Sequence, residues 1–167
     1  ADRLPVTSSR DDEAAEESVH LTLSLHPGPR AVAFVGLPPA GAVGNALAHG
    51  VEQVVLIVED AVLARLAQDE FPDFSRERLQ VVIEDARRHL AAHAAAYDAV
   101  LVDVGEPSSV RFNRFFTAEL FQIAKGALRA GGILSVALPG HSAFAAEESR
   151  RLHSAVRTTL AARRASS

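Results

Sequence analysis

A chain of 167 residues that is 48% hydrophobic and 23% charged, with a mean hydropathy of +0.09, can bury one core and is too short for several domains. Its net charge of −4 and pI near 6.0 offer no basic surface for a phosphate backbone, which argues against nucleic acid as a partner. With no cysteine there are no disulfides or thiolate nucleophiles, and the sequence has neither an apolar run long enough to span a bilayer nor a signal-peptide pattern.

Residues 1–17 are polar and acidic without a hydrophobic period and read as a flexible lead-in. From Ser18 to Leu25, the residues Val19, Leu21, Leu23 and Leu25 alternate with Ser18, His20, Thr22 and Ser24, a period of two that suits a short strand. After the turn residues His26 to Pro29, AVAFVG reads as a buried strand ending at Gly36, and VEQVVLIV from Val51 to Val58 as a second, joined by a helix from about Gly41 to Ala48. Further strands are expected at Leu79–Ile83, Asp98–Val104 and Gly132–Leu138, with Gly131 and Gly132 turning into the last. Helical patterns occupy Ala61–Glu70, Ala86–Ala95, Thr117–Leu128 and Ala145 to about Ala162, and residues 164–167 form a tail. Strands alternating with helices of about ten residues imply right-handed βαβ crossovers, hence an α/β, Rossmann-like, doubly wound parallel sheet over residues 18–163. Half of the eight phenylalanines, Phe112, Phe115, Phe116 and Phe121, fall in one loop and helix start, where core packing explains them.

Asp103 stands out among the polar residues, because it ends the apolar run AVLV, and ligands of open α/β sheets sit outside the carboxyl ends of buried strands. Glu106 and Pro107 follow it, then Asn113-Arg114-Phe115-Phe116-Thr117-x-Glu119-x-Phe121. This Asp-x-x-Glu-Pro loop, with SVHLTLSLHPGPRAVAFVG before it and LRAGGILSVALPG after it, resembles the polyamine aminopropyltransferases of the spermidine synthase family. The likeness is greatest to the spermidine-synthase-like domains of large bacterial membrane-associated proteins, and runs from about Glu17 to about Thr159. It implies a methyltransferase-type Rossmann fold in which the stretch 18–25 is helical rather than extended. The sequence supplies neither that family's N-terminal hairpin domain nor its C-terminal antiparallel strands.

The resemblance also assigns roles. The family's glycine turn GGGxGG corresponds to Gly36-Leu37-Pro38-Pro39-Ala40-Gly41, so Gly36 and Gly41 remain as adenosyl-binding positions. Each proline removes an N–H donor and fixes φ near −65°, which narrows and impoverishes the pocket floor. At the end of the second strand the family's ribose-binding Glu aligns with Val58; Glu59 is adjacent but would face the other way without a bulge, which makes it a ribose candidate beside the simpler role of a solvated strand-end acid. Asp85 matches the acid of a GDGR-like turn that accepts from the adenine amino group, and is equally suited to cap the helix after it.

Asp103 matches the family's catalytic base, Glu106 the second acid that holds the amine, and His20 a histidine near the ligand. His89 and His93, four apart, could share a helix face, but with no carboxylate or third ligand beside them no metal site is expected. The implied reaction is aminopropyl transfer from decarboxylated S-adenosylmethionine to a polyamine, a cation compatible with an acidic chain, through a partly degenerate adenosyl pocket. The co-substrate is not a prosthetic group. The alternative is a non-catalytic binding or regulatory module on the same scaffold, and a weaker one a methyltransferase using S-adenosylmethionine itself. A cytoplasmic domain is expected, with any membrane segment belonging to a longer parent protein, and the resemblance allows a homo-oligomer.

Overall fold

A computed structural model of the chain describes residues 19–71, 75, 77–104 and 114–137. Residues 19–24 are helical (α1). There follow β1 (Ala31–Val35), α2 (Ala40–Ala48), β2 (Gln53–Val58), α3 (Ala61–Glu70), β3 (Leu79–Ile83), α4 (Ala86–Ala92), β4 (Tyr97–Val102), a 3₁₀ turn at Arg114–Phe116, α5 (Ala118–Ala127) and β5 (Leu128–Val136). The helix expected at 145–162, the lead-in 1–17 and the tail 164–167 lie outside the described residues.

All strands are parallel, in the order β3-β2-β1-β4-β5. The chain winds outward from β1 to β3 and then crosses back beyond β1 to β4, so the switch point falls between β1 and β4. Alternate residues of β1 feed two cores. Val32 and Phe34 pack with Val19 and Leu23 of α1, Ala42, Val43 and Ala46 of α2 and Ala67 of α3. Ala31, Ala33 and Val35 pack with Ala86 and Leu90 of α4, Phe115, and Leu120, Ala124 and Ala127 of α5. Both faces are therefore covered, which is why β1 and β4 read as unbroken aliphatic runs. On the first face α1 reaches the far edge, where Thr22 Oγ1 bonds Ser135 Oγ of β5 at 3.0 Å.

Three helices begin on side-chain caps, since Asp60 accepts from Val62 N, Asp85 from Arg88 N and Thr117 from Leu120 N. The period-two pattern at 18–25 was overridden by packing, because a helix places Val19 and Leu23, four apart, on the core together while His20 and Leu21 face solvent. The last strand starts four residues before Gly132. Leu128 already pairs with Tyr97, and the chain slips register before Ile133 meets Ala99, with Gly131 at φ 81° inside the irregular stretch. The two glycines thus make a bulge within β5 rather than a turn ahead of it. Among the described residues no helix is long and apolar enough to cross a membrane.

Candidate functional site

At the carboxyl edge the ladder runs one residue past the strands. Gly36 N donates to Ile57 O at 2.9 Å, Asp103 N to Val35 O at 2.9 Å, Glu84 N to Val58 O at 3.0 Å and Ala137 N to Val102 O at 2.8 Å. This brings Asp103 beside Gly36 across the switch point, half-buried, with Val58 on the other flank of β1. Gly36 has φ 102°, and a Cβ there would overlap the carbonyl oxygen of Asp103 and come within 2.9 Å of its carbonyl carbon. Glycine is required here by the approach of two backbones, so the residue that opens the loop also sets the position of Asp103.

Leu37 and the two prolines shape the loop after Gly36. Leu37 turns into the core on the α1–α2–α3 face, Pro38 is buried, and Pro39 stands at the N-cap of α2 with φ −55°, ψ 155° and no side-chain cap. Ala42 N donates back to Pro39 O at 3.0 Å, which closes the first turn. Two consecutive prolines leave only residues 37 and 40 with N–H groups across this passage. Gly41 lies inside the first turn of α2 rather than in the loop.

β2 pairs in continuous register with β1 through Ile57 and with β3 through Val58, with no bulge. Glu59 therefore falls in phase with Val55 and Ile57, on the face opposite Val58. Its Oε1 is shielded from solvent, while the residue as a whole is partly exposed. Asp85 is exposed at the start of α4, and its Oδ1 accepts from Arg88 N at 3.0 Å, so the capping role is realised on the exposed rim of the carboxyl edge. Glu106 lies outside the described residues. His20 is exposed, its Nδ1 2.8 Å from Nε2 of His49 at the C-terminus of α2. Because α2 runs back from the carboxyl edge, His49 at its C-terminus lies toward the amino edge.

Two buried polar networks escaped the sequence pattern. Asp98, second residue of β4, accepts through Oδ2 from Arg30 N at 2.8 Å, Ala31 N at 2.9 Å and Arg129 at 2.8 Å, tying the starts of β1, β4 and β5 together. Burial alone would raise its pKa, but the two amides and the guanidinium outweigh it and hold the carboxyl below the ordinary value. His89 is buried with Nδ1 3.0 Å from Glu84 Oε2 and Nε2 2.8 Å from Tyr97 Oη, and His93 stacks on it. A carboxylate does stand beside this histidine pair, yet both nitrogens of His89 are committed to it and to the phenol. Burial raises the Tyr97 pKa. The His89 partners lie five residues before and eight after it, spacings that no helical or strand period flags.

The model of the spermine/spermidine synthase domain matches residues 13–164. Polyamine aminopropyltransferase 2 of Hyperthermus butylicus is 31% identical over 153 residues, covering 87% of this chain and 48% of that protein. The chain spans about half the length of the curated relatives it matches. A crystal structure of spermidine synthase in complex with the transition state analogue AdoDATO superposes with a TM-score of 0.72 at 22% identity, over 87% of this chain and 51% of that one. The human methyltransferase-like protein 13 in complex with SAH gives 0.59 at 20% identity, over 93% and 73%. Both share the fold, a Rossmann-like sheet of the methyltransferase type. The domain match over most of the chain, with the acid at the end of β4 where the Asp-x-x-Glu-Pro pattern puts it, makes this protein a member of the spermine/spermidine synthase family.

Proposed function

We propose that this chain is a spermidine-synthase-like domain that transfers an aminopropyl group from decarboxylated S-adenosylmethionine to a polyamine at the carboxyl edge of β4. The observation that carries the reading is Asp103, half-buried beside Gly36 at the switch point. The polyamine nitrogen attacks the propyl methylene attached to the sulfonium, a C–N bond forms as the C–S bond breaks, and 5′-methylthioadenosine leaves with the sulfonium electron pair. An amine with a solution pKa of about 10.4 must give up a proton to act, and the Asp103 carboxylate accepts it while its charge orients the cation. Glu106 holds the distal ammonium. Asp85 receives the adenine amino group, and Glu59, next to Val58 in the chain, is the candidate for the ribose hydroxyls. On this reading the domain works in the cytoplasm, alone or as part of a longer protein.

Turnover tests it. Asp103→Asn should lower methylthioadenosine release about 10²–10⁴-fold, the usual worth of a general base, while leaving co-substrate affinity within a few-fold. Equal turnover by variant and parent would remove Asp103 as the base. A second reading, a non-catalytic module, is favoured by Pro38-Pro39 and by Val58 in place of a ribose-binding acid. Thermal unfolding separates the two, since a ligand at a hundred times its Kd stabilises by about 2.7 kcal/mol. No shift with decarboxylated S-adenosylmethionine, S-adenosylmethionine or methylthioadenosine would favour the module.

A further inference from the structure

We propose that His89 is a positioning residue for the adenosyl end of the site, acting through Glu84 on the turn between β3 and α4 that presents Asp85; this rests on the adenosyl-binding reading above. The turn is two residues long and held from several sides. Glu84 N donates to Val58 O of β2, and Asp85 O and Oδ1 accept from His89 N at 2.9 Å and Arg88 N at 3.0 Å. The Glu84 carboxylate, itself partly exposed, receives Arg88 Nε at 3.2 Å on one oxygen and His89 Nδ1 at 3.0 Å on the other. Arg88 is a solvated surface partner, whereas the His89 side chain is 6% exposed. The salt bridge from Arg88 therefore contributes little, and the bond from His89 is the one that restrains the carboxylate.

His89 is restrained in turn. A carboxylate can only accept, so Nδ1 carries the proton toward Glu84, while Nε2 bonds the Tyr97 hydroxyl. Tyr97 opens β4, the strand that Asp103 directly follows. His93 closes the remaining side, its ring 4.1 Å from that of His89 and its Nδ1 donating to His89 O at 2.7 Å. Packing alone would be met by leucine at this place. An imidazole with both nitrogens bonded links the floor of β4 to the turn at the opposite edge.

The two nitrogens can be separated by substitution. His89→Asn keeps a donor near the place of Nδ1 and loses Tyr97; His89→Gln reaches Tyr97 and loses Glu84. The experiment compares these variants and the parent for amide hydrogen exchange at Asp85 and Arg88, for methylthioadenosine affinity by calorimetry, and for thermal midpoint. His89→Gln should speed exchange at the turn about tenfold and weaken methylthioadenosine binding by a similar factor, as the loss of one hydrogen bond to a charged group implies. His89→Asn should stay within about threefold of the parent in both, although both variants lose thermal stability. Glu84→Ala removes the same link without entering the core and should match His89→Gln. Equal exchange at the turn in the Asn and Gln variants, or none of them differing from the parent, would overturn the proposal. A parent that binds no methylthioadenosine overturns the adenosyl reading and any role of His89 toward that ligand, and the exchange ratio then reports separately whether His89 holds the turn.

Discussion

Replacing Gly36 with alanine should be among the most damaging single changes in the described fold, and the size of the effect can be worked out from the backbone. At φ 102° an L-residue is outside its allowed regions, a strain of about 1–3 kcal/mol. The added Cβ would overlap the Asp103 carbonyl oxygen and sit 2.9 Å from its carbon and 3.2 Å from Val104 Cγ1, so β1 and β4 must separate at their ends. Overpacking of that kind costs about 1–3 kcal/mol, and the bond from Asp103 N to Val35 O weakens with it. Together these give a loss of about 2–6 kcal/mol. Urea unfolding followed by circular dichroism on the whole chain measures it. Gly126→Ala is the control, because Gly126 lies in α5 with nothing within 4 Å of its added Cβ and should gain about 0.5–1 kcal/mol. Gly36→Ala within about 0.5 kcal/mol of the parent would refute the requirement for glycine between these two backbones.

The Asp98 staple gives a second prediction. Asp98→Ala leaves two amides without their acceptor and Arg129 without its counter-ion, a loss of about 2–4 kcal/mol by the same unfolding assay, whereas a loss under about 1 kcal/mol would mean that water replaces the carboxylate. Because the folded carboxyl has a lowered pKa, its contribution is fully present above the unfolded value of about 3.9 and is lost as pH falls through the folded value. Acid unfolding curves of parent and Asp98→Asn should therefore converge below about pH 4, and parallel curves would contradict the assignment. Pro38→Gly with Pro39→Gly restores two N–H donors, so decarboxylated S-adenosylmethionine should bind more tightly while stability falls by about 1–2 kcal/mol. An unchanged Kd would show that the prolines do not limit the site.

The winding of the chain was readable because the central strands β1, β2 and β4 are buried and appear as apolar runs between helical periods. Leu79–Ile83 and Ala61–Glu70 were bounded correctly, the strand by its apolar residues even though it lies at the sheet edge with Ile83 exposed. Where a local pattern competed with a packing demand, packing prevailed, as in the helix at 19–24 and in β5, where pairing with Tyr97 extends the strand through its glycines. Asp103 could be found from the sequence since a strand end is a local feature. Asp98 could not, because the amides it bonds are 67 and 68 residues away and only strand order brings them together. Glu59 illustrates a mixed case: its phase relative to Val58 follows from period-two alternation, but the shielding of its Oε1 is a tertiary feature that no local pattern shows.

The central claim is that the carboxyl edge around Gly36 and Asp103 receives the aminopropyl donor. Titration of the ¹⁵N-labelled chain with decarboxylated S-adenosylmethionine, read from backbone amide shifts, tests it most directly. Saturable shifts are predicted at Gly36, Leu37, Ala40, Asp85 and Asp103, with His49 and Asp98 at the opposite edge unmoved. Shifts centred on that opposite edge, or none at millimolar ligand, would contradict it.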